Sequence, residues 1–310
     1  MDRRKFLKTL AVTGAATLID FSPLKSLLAQ GQTGVSKADD LVAVMGGEPD
    51  AMLRRAMAEL GGIERFVKRG NRVVLKPNIG WDRPADRGAN TNPLLMATMV
   101  KMCLDAGASE VQVFDHTCDD WIRTYANSGI KKAVEDAGGK MLPANTENYY
   151  VDYNLPNGVR LKKIKLHQAI ANCDVWFNMP VLKHHGGAKM TASMKNLMGI
   201  VWDRGAFHSN DLQQCIADAC TLAKQPALNI VDAYRVIKDN GPQGRTAADT
   251  VTLKTLIVSP DIVAADSASL KFFAQVRNVT EDEVSHIGKG QELKLGTTDI
   301  DAMNVKRIRM

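Results

Sequence analysis

The sequence predicts an α/β fold, a mostly parallel sheet with helices on both faces. Short apolar, strand-forming runs alternate with longer segments of helical character along most of the chain, an order typical of parallel sheets whose crossover connections are helices. Polar side chains also recur directly after several of these strands, where open α/β sheets bind their ligands. The length of 310 residues suits one large domain or two closely joined ones, and we assign residues 41–310 to a single domain.

The first half of this domain is predicted to contain three strands and three helices. Asn92 followed by Pro93 is an N-cap and first-turn pair, which fixes the start of the second helix. The strands cover residues 41–45, 72–75 and 110–114, and the helices cover about 49–67, 92–106 and 119–137.

The middle section is more polar, and the alternation resumes after it. Residues 138–166 contain Asn-rich turns and a predicted strand at 159–164, which indicates a small β-rich insertion or a hairpin. Beyond it, strands are predicted at 174–179, 228–231 and 253–258, and helices near 189–198, 211–223 and 261–273.

The N-terminus carries the pattern of an export signal. Arg3 and Arg4 precede Phe-Leu-Lys and an uncharged apolar run at 9–19, which is shorter than the roughly 20 residues that a membrane span needs. The pattern resembles a twin-arginine signal, whereas the alternative is an amphipathic helix docked on the domain. We predict a signal peptide at 1–30, removed near Ala29 or retained, and a linker at 31–40. The protein would pass the twin-arginine translocase, reach the periplasm or another exported location, and keep no stable transmembrane helix after cleavage.

Charge and cysteine content narrow the classes of partner. Residues 1–30 hold five basic and two acidic side chains, so they account for +3 of the net charge of +6. The remaining +3 argues against a nucleic-acid partner. Five cysteines without Cys-x-x-Cys spacing predict no iron–sulfur cluster from the chain's own cysteines. Cys215 and Cys220 would lie about 8–9 Å apart on a helix, too far for a disulfide.

The polar residues that follow the strands predict a ligand-binding cleft. They are Lys76 and Asn78 after the second strand, Asp115 and His116 after the third, Lys183, His184 and His185 after the fourth, and Asp232 after the fifth. Taken singly, each set can be a plain turn or a helix cap. Because the carboxyl ends of parallel strands share one edge of a sheet, lysines, histidines and carboxylates together favour a pocket there.

Residues 182–199 carry the densest part of this pattern. Gly186 and Gly187 permit a tight turn or a close approach to a ligand. Thr191, Lys195 and Asn196 would lie on the helix that follows, whose first N–H groups attract anions. The alternative is a solvated basic turn, which we accept for Lys189.

A metal site is weakly indicated, and several standard enzyme classes are not indicated at all. The candidate ligands for a divalent metal are scattered along the chain: His116, His184, His185, His208 and Asp232. Phosphate-loop, Gly-x-Gly-x-x-Gly and Gly-x-Ser-x-Gly patterns are absent from the sequence. Their absence argues against a standard NTPase, nicotinamide enzyme or serine hydrolase.

Several sequence blocks resemble domain-of-unknown-function family 362. They are VLKPN at 74–78, NTNP at 90–93, NMPVLKHH at 178–185, MKNLMG at 194–199, NIVD at 229–232, NGPQG at 240–244 and SPDIVAAD at 259–266. The resemblance spans about residues 70–275 and implies an uncharacterised α/β family. Some relatives carry ferredoxin-type segments, whose cysteines this chain lacks. A more distant resemblance to nickel-pincer lactate racemases suggests that histidine and lysine at a cleft act on a small hydroxy acid or a similar anion.

The leading hypothesis is an exported enzyme whose His/Lys cleft binds a small acidic molecule and performs acid–base or metal-assisted chemistry. The alternative is a non-catalytic periplasmic protein that binds or assembles a ligand or cofactor. The cofactor is unknown, with a divalent metal as the candidate. The residues assigned are, for catalysis, Lys183, His184, His185, His116 and Asp115; for ligand binding, Lys76, Asn78, Lys195, Asn196, Thr191, Gly186 and Gly187; and for metal, His184, His185, His116 and Asp232. Within this set Lys76, Lys183 and Lys195 would bind the anion or stabilise developing negative charge, and Asp115 or Asp232 would orient a histidine or hold a metal.

Overall fold

The computed structural model describes residues 40–310, and its centre is a ten-stranded sheet. The predicted signal peptide and residues 31–39 of the predicted linker lie outside the described residues. The strands are β1 (Leu41–Met45), β2 (Arg72–Pro77), β3 (Glu110–Val113), β4 (Lys140–Met141), β5 (Tyr150–Asn154), β6 (Lys163–His167), β7 (Val175–Met179), β8 (Val181–His185), β9 (Lys189–Thr191), β10 (Leu228–Ile237), β11 (Thr250–Ser259) and β12 (Val305–Arg309).

Ten α-helices connect and flank these strands within residues 40–310. They are α1 (Pro49–Glu59), α2 (Pro93–Asp105), α3 (Trp121–Asn127), α4 (Ile130–Asp136), α5 (Gln168–Asn172), α6 (Ser193–Asn196), α7 (Gly205–Ser209), α8 (Leu212–Ala219), α9 (Ile262–Phe273) and α10 (His286–Glu292). None of the helices in this part of the chain has the length and apolar character that a membrane span requires.

The sheet is mostly parallel, as the sequence predicts. Along the order β12-β1-β11-β10-β7-β2-β3-β4, every neighbouring pair is parallel except the two pairs that β11 makes. β8 runs parallel to the distal half of β10 and forms an antiparallel pair with β9. The carboxyl ends of β2, β3, β7 and β8 therefore meet at one edge.

Alternate strand residues face two different layers of helices. Leu75, Phe177 and Ile230 belong to the main apolar core, which α1, α2 and α4 complete on one face. On the other face α9 packs against β10 and β11, and α6 packs against β7. This second face carries polar side chains within the sheet: Asn178 Nδ2 donates to Ser193 O at 3.0 Å and to Asn229 Oδ1 at 2.9 Å.

Two predicted helices are shorter than expected because glycines interrupt them. The helix predicted to reach residue 67 ends at Glu59, since Gly61 and Gly62 adopt φ of 89° and 86°. The helix predicted at 119–137 is split into α3 and α4 at Gly129, whose φ is 76°. Both interruptions use left-handed backbone, which glycine adopts without a Cβ penalty.

The predicted insertion at 138–166 contains a hairpin, but its second strand begins later than expected. β5 and β6 pair as a separate antiparallel ribbon. Residues 159–161 are not part of it, because their backbone N–H groups donate to the carboxylate of Asp218 at 2.6–2.8 Å. Those donors are unavailable to a strand ladder, so β6 starts at Lys163.

The helix predicted near 189–198 is wrong for its first part. Residues 189–191 form β9, in which Thr191 lies opposite Lys183 of β8. Only Ser193–Asn196 is α-helical, and a 3₁₀ turn at Leu197–Ile200 follows. The turn between β8 and β9 contains Gly186 and Gly187, yet the residue in left-handed backbone is Lys189, with φ of 65°.

Candidate functional site

Lys76 forms a buried ion pair at the carboxyl end of β2. Its Nζ lies 2.7 Å from Asp115 Oδ1 and donates to Pro77 O at 2.7 Å and Asn196 Oδ1 at 2.9 Å. Because the side chain is 0% exposed and these three protein oxygens surround its Nζ, Lys76 is not accessible to a ligand. The prediction that Lys76 binds the anion is therefore corrected: it anchors Asp115 and α6.

Gly199 is required where this ion pair packs against the 3₁₀ turn. A Cβ at residue 199 would lie 1.9 Å from Asp115 Oδ1 and 2.6 Å from Lys76 Nζ. Asp115 Oδ2 in turn accepts from Ile79 N at 2.6 Å. Asp115 thus binds a lysine and a backbone amide, and it orients no histidine.

Side-chain amides link the ion pair to the next lysine. Asn196 Oδ1 accepts from Asn78 Nδ2 at 3.2 Å, and Asn196 Nδ2 donates to Asn178 Oδ1 at 2.9 Å. Asn78 Oδ1 accepts from Lys183 Nζ at 2.7 Å. The predicted ligand-binding residues Asn78 and Asn196 are therefore brought together, and they hold β2, β7 and α6 in a fixed relation.

Lys183 is a buried lysine without a carboxylate partner. Its Nζ donates to Asn78 Oδ1 and, through a short contact, to Ala89 O, and the residue is 1% exposed. Burial lowers the pKa of Lys183 to about 7, and the positive charge of Lys195 contributes in the same direction. Near neutral pH this amine consequently exists in both protonation states.

Lys195 is an ammonium without a partner in the described part of the chain. It lies on α6, is partly exposed, and makes no hydrogen bond or ion pair within residues 40–310. Burial, with a contribution from the nearby charge of Arg204, lowers its pKa to about 8, although Cys118 and Asp115 oppose the shift. At pH 7 most of the Lys195 side chain therefore remains positively charged.

Arg204 and Cys118 belong to the same site and were not singled out from the sequence. The Arg204 guanidinium donates to His116 O at 2.9 Å, Thr117 O at 2.8 Å and Cys118 Sγ at 3.3 Å. The thiol of Cys118 is exposed, whereas the other four cysteines are buried, and all five are free. The only sequence signal for Cys118 was its place after β3, and Arg204 had none. Electrostatic interactions connect Lys183, Lys195, Arg204, His185 and Cys118, and we refer to these five residues together as the cationic cleft.

The two adjacent histidines at the end of β8 have different partners. His184 Nδ1 accepts from Gly241 N at 2.9 Å, and His185 Nδ1 accepts from Ala188 N at 3.1 Å. Burial lowers the pKa of both, that of His185 to about 2 with further lowering from Lys195 and Lys183. His185 is thus a neutral imidazole whose proton lies on Nε2, and it can donate a hydrogen bond but does not act as an acid near neutral pH.

The side chains of the remaining predicted residues, His116 and Asp232, are engaged with the backbone. His116 Nδ1 lies 2.9 Å from Val201 O, and its ring stacks on Trp202 with centroids 5.0 Å apart. Asp232 accepts from the backbone N–H groups of Asn92 and Tyr234 at 2.7 and 3.0 Å, and burial raises its pKa to about 6. The predicted role of Asp232 in orienting a histidine is corrected: it secures the start of α2.

The predicted metal ligands do not converge. Within residues 40–310 no group of three His, Cys, Asp or Glu side chains is arranged to hold one ion. His184, His185, His116 and Asp232 each have one of the backbone contacts described above instead. The residues present do not fit the predicted divalent metal, so no chemical step is assigned to one.

The start of α6 is also unavailable to a ligand. Asp266 accepts from Ser193 N at 2.6 Å and Met194 N at 3.0 Å, so the chain's own carboxylate occupies the predicted anion position. Thr191 Oγ1 is buried without a hydrogen-bond partner among the described residues. Gly186 and Gly187 are exposed at the turn, where a Cβ on Gly186 would meet nothing within 4 Å.

Comparisons with known proteins match most of this chain. A family model described as "Domain of unknown function (DUF362)" matches residues 73–271. Thylakoid-associated protein sll1697 of Synechocystis sp. is 28% identical over 224 residues, which cover 70% of this chain and 67% of that protein. The chain is also similar to the lactate racemase apoprotein from Thermoanaerobacterium thermosaccharolyticum, with a TM-score of 0.48 and 12% identity over 76% of this chain. It spans 57% of that racemase chain, and this likeness carries no inference about chemistry.

Proposed function

Since this chain belongs to the DUF362 family, whose description names no activity, we propose a function from the cationic cleft itself: it binds a small acidic molecule, and Lys183 transfers a proton to or from that molecule. The observation that carries the proposal is the pair Lys183 and Lys195, two lysines whose charges interact and neither of which forms an ion pair within residues 40–310.

The charges of the cleft favour an anion. Lys195 offers an ammonium with three open donors, and Arg204 adds a guanidinium whose position is fixed by the backbone carbonyls of His116 and Thr117. His185 supplies a neutral N–H donor. Burying cations side by side is unfavourable unless a negative charge compensates them, and a bound carboxylate would do so.

The hydrogen bonds of Lys183 suit a group that changes its protonation state. An ammonium has three N–H donors, of which Asn78 and Ala89 take two. The neutral amine keeps two N–H donors and gains a lone pair, so both hydrogen bonds survive deprotonation. Only the third position changes from donor to acceptor, and a pKa of about 7 allows that change near neutral pH.

We also propose that residues 1–30 act as a twin-arginine signal and that the protein acts in the periplasm or another exported location after passage through the twin-arginine translocase. Arg3 and Arg4 in their apolar context support this part of the proposal. It is independent of the chemistry of the cleft.

Removal of the Lys195 charge tests the binding function. In Lys195→Met the side-chain length is kept and the unpaired ammonium is lost. Because a hydrogen bond to a charged group contributes about 1.5–3 kcal/mol, affinity for acetate or glycolate should fall roughly 10- to 100-fold in titration calorimetry.

Lys131→Met is the matched control, since Lys131 is exposed on α4, and its affinity should equal that of the unmodified protein. Equal affinity in Lys195→Met and the unmodified protein would refute the proposal. If binding occurs, incubation of a bound chiral hydroxy acid in deuterated water separates an enzyme from a binder: deuterium enters the carbon-bound position only if a proton is transferred.

A further inference from the structure

A cavity lies between two loops outside the cationic cleft. Its volume is about 340 Å³, within the size range of small-molecule sites. One side is lined by Asp82, Arg83, Pro84 and Arg87, and the other by Gln243, Gly244 and Arg245. Three of the lining side chains are arginines, Arg83, Arg87 and Arg245, and we refer to this site as the arginine cavity.

The guanidinium groups of the arginine cavity are largely unpaired. Arg87 and Arg245 make no side-chain hydrogen bond or ion pair within residues 40–310, and Arg83 Nη1 donates once, to Asp82 O at 3.0 Å. Asp82 is the acidic side chain in the lining, and its carboxylate already accepts from Asn127 Nδ2 at 2.6 Å and lies 3.5 Å from Arg123 Nε. The lining residues therefore sum to 3 − 1 = +2.

The first loop is fixed to the body of the protein. Asn90 Nδ2 donates to Arg83 O at 3.1 Å, and Thr250 Oγ1 donates to Arg87 O at 3.0 Å. Gly88 has φ of 69°, and a Cβ there would lie 2.8 Å from Arg235 O. Arg83 and Arg87 thus project from an anchored backbone.

The second loop is fixed by one carboxylate. Asp249 accepts from Arg245 N at 2.6 Å, Thr246 N at 2.7 Å and Asn240 Nδ2 at 2.7 Å, and these hydrogen bonds lower its pKa to about 2. The positive charge of Arg245 also lowers the pKa of Asp249. Its oxygens are nevertheless occupied by these three donors and do not bind the guanidinium.

From this arrangement we propose that the arginine cavity is a second anion site, which binds the phosphate group of a small phosphate monoester. Guanidinium is planar and pairs with phosphate oxygens through two parallel hydrogen bonds. A phosphate monoester carries about −1.5 to −2 charges at pH 7, which matches the +2 of the lining. A phosphate alone would leave much of the cavity volume to the rest of the ligand.

The proposal goes beyond the function of the cationic cleft and does not depend on it. Its probes are inorganic phosphate and glycerol 3-phosphate, titrated into the full purified chain and into Arg87→Met/Arg245→Met. Loss of two guanidinium partners should weaken both probes at least 10- to 100-fold. Glycerol 3-phosphate should bind the unmodified protein more tightly than phosphate if the site takes an ester, whereas equal affinities would indicate the free ion.

Two further variants give the experiment its controls. Arg54→Met removes an exposed arginine of α1 and should leave both affinities unchanged. Arg87→Lys/Arg245→Lys keeps the charge and loses the paired hydrogen bonds, so it should bind more weakly than the unmodified protein while keeping its thermal stability. Unchanged affinity in the folded Met double variant, or an equal loss in Arg54→Met, would overturn the proposal.

Discussion

The pKa of a buried lysine depends strongly on whether one of its hydrogen-bond acceptors is a carboxylate, as Lys76 and Lys183 show. Lys76 lies in the carboxyl-terminal part of β2 and Lys183 lies within β8, and both are buried. Lys76 has the carboxylate of Asp115 at 2.7 Å, whereas Lys183 has only amide and carbonyl oxygens. A carboxylate stabilises the ammonium and a neutral oxygen does so less, so Lys183 is the lysine that burial can bring to a pKa of about 7.

Asn78→Asp should raise the pKa of Lys183 towards its ordinary value. The new carboxylate would take the place of the Oδ1 atom that lies 2.7 Å from Lys183 Nζ, and a negative charge favours the protonated amine. The pKa can be followed through the lysine Cε resonance in an NMR titration. In the unmodified protein the amine should lose its proton as pH rises through about 7, and anion affinity should decline over the same interval.

Asn157→Asp is the matched control. Asn157 is exposed, so this substitution adds the same negative charge without placing it against the Lys183 amine. An identical Lys183 titration in Asn78→Asp and the unmodified protein would show that Asn78 does not face the amine as described.

At the residue scale, the sequence predicted where polar groups would gather but not which of them would be free. The sequence predicts Lys76, Lys183 and Asn78 after parallel strands at one edge of the sheet. In the structure Lys76 and Lys183 lie within strands, and Lys183 Nζ contacts Asn78 Oδ1. Pairing could not be predicted, because the partners of Lys76 come from residues 115 and 196, which are remote in sequence. For the same reason nothing in the sequence marked Arg204 as a neighbour of Lys195.

At the scale of elements, the segment from β8 to the 3₁₀ turn at Leu197–Ile200 was the hardest to predict and is central to the site. Strand pairing overrides helical spacing at residues 189–191, because Thr191 lies opposite Lys183 in the ribbon. Long periodic segments such as α2 and α9 were predicted within a residue or two, since caps at Asn92 and Asp261 fix their starts. The secondary structure of the segment from β8 to the 3₁₀ turn depends on tertiary contacts, which no local sequence pattern contains.

Gly199→Ala tests whether the 3₁₀ turn and the buried ion pair form one unit. The added methyl would lie 1.9 Å from Asp115 Oδ1, so either the ion pair or the turn must shift. We expect a loss of about 1–3 kcal/mol or more in the free energy of unfolding, measured by urea titration, because overpacking and a disturbed buried ion pair both destabilise.

Gly288→Ala provides the comparison for this change. Gly288 is exposed in the interior of α10, and a Cβ there would meet nothing within 4 Å. Alanine at such a position should stabilise the protein by up to about 1 kcal/mol. Similar effects of the two substitutions would mean that Gly199 is not pressed against Asp115 and Lys76.

At the scale of the whole molecule, buried histidines and buried aspartates have opposite effects on the pH dependence of stability. Burial lowers the pKa of His167 to about 4 and that of His286 to about 3, and it raises the pKa of Asp266 to about 7. The histidines contribute stability above pH 6.5 that is lost as pH falls through their folded pKa values. The aspartate contributes stability at low pH that is lost as pH rises through about 7.

His167→Asn should isolate one part of this balance. The neutral His167 ring uses both nitrogens: Nε2 donates to Pro143 O at 3.1 Å, and Nδ1 accepts from Ala169 N at 3.2 Å as the N-cap of α5. A proton on Nδ1 would point at that N–H, and the ring is stacked on Phe114 with centroids 3.8 Å apart, so the folded state resists protonation. The unfolded chain takes up the proton near pH 6.5. As pH falls from 6 to 4.5, this group should therefore lower the free energy of unfolding by about 1.4 kcal/mol per pH unit.

Asparagine can cap the helix but does not titrate. The free energy of unfolding of His167→Asn should therefore vary with pH less steeply by that amount, as measured by urea titrations across this range. Parallel pH dependences for the two proteins would mean that His167 accepts a proton as readily in the folded state as in the unfolded one, against the burial and hydrogen bonds described.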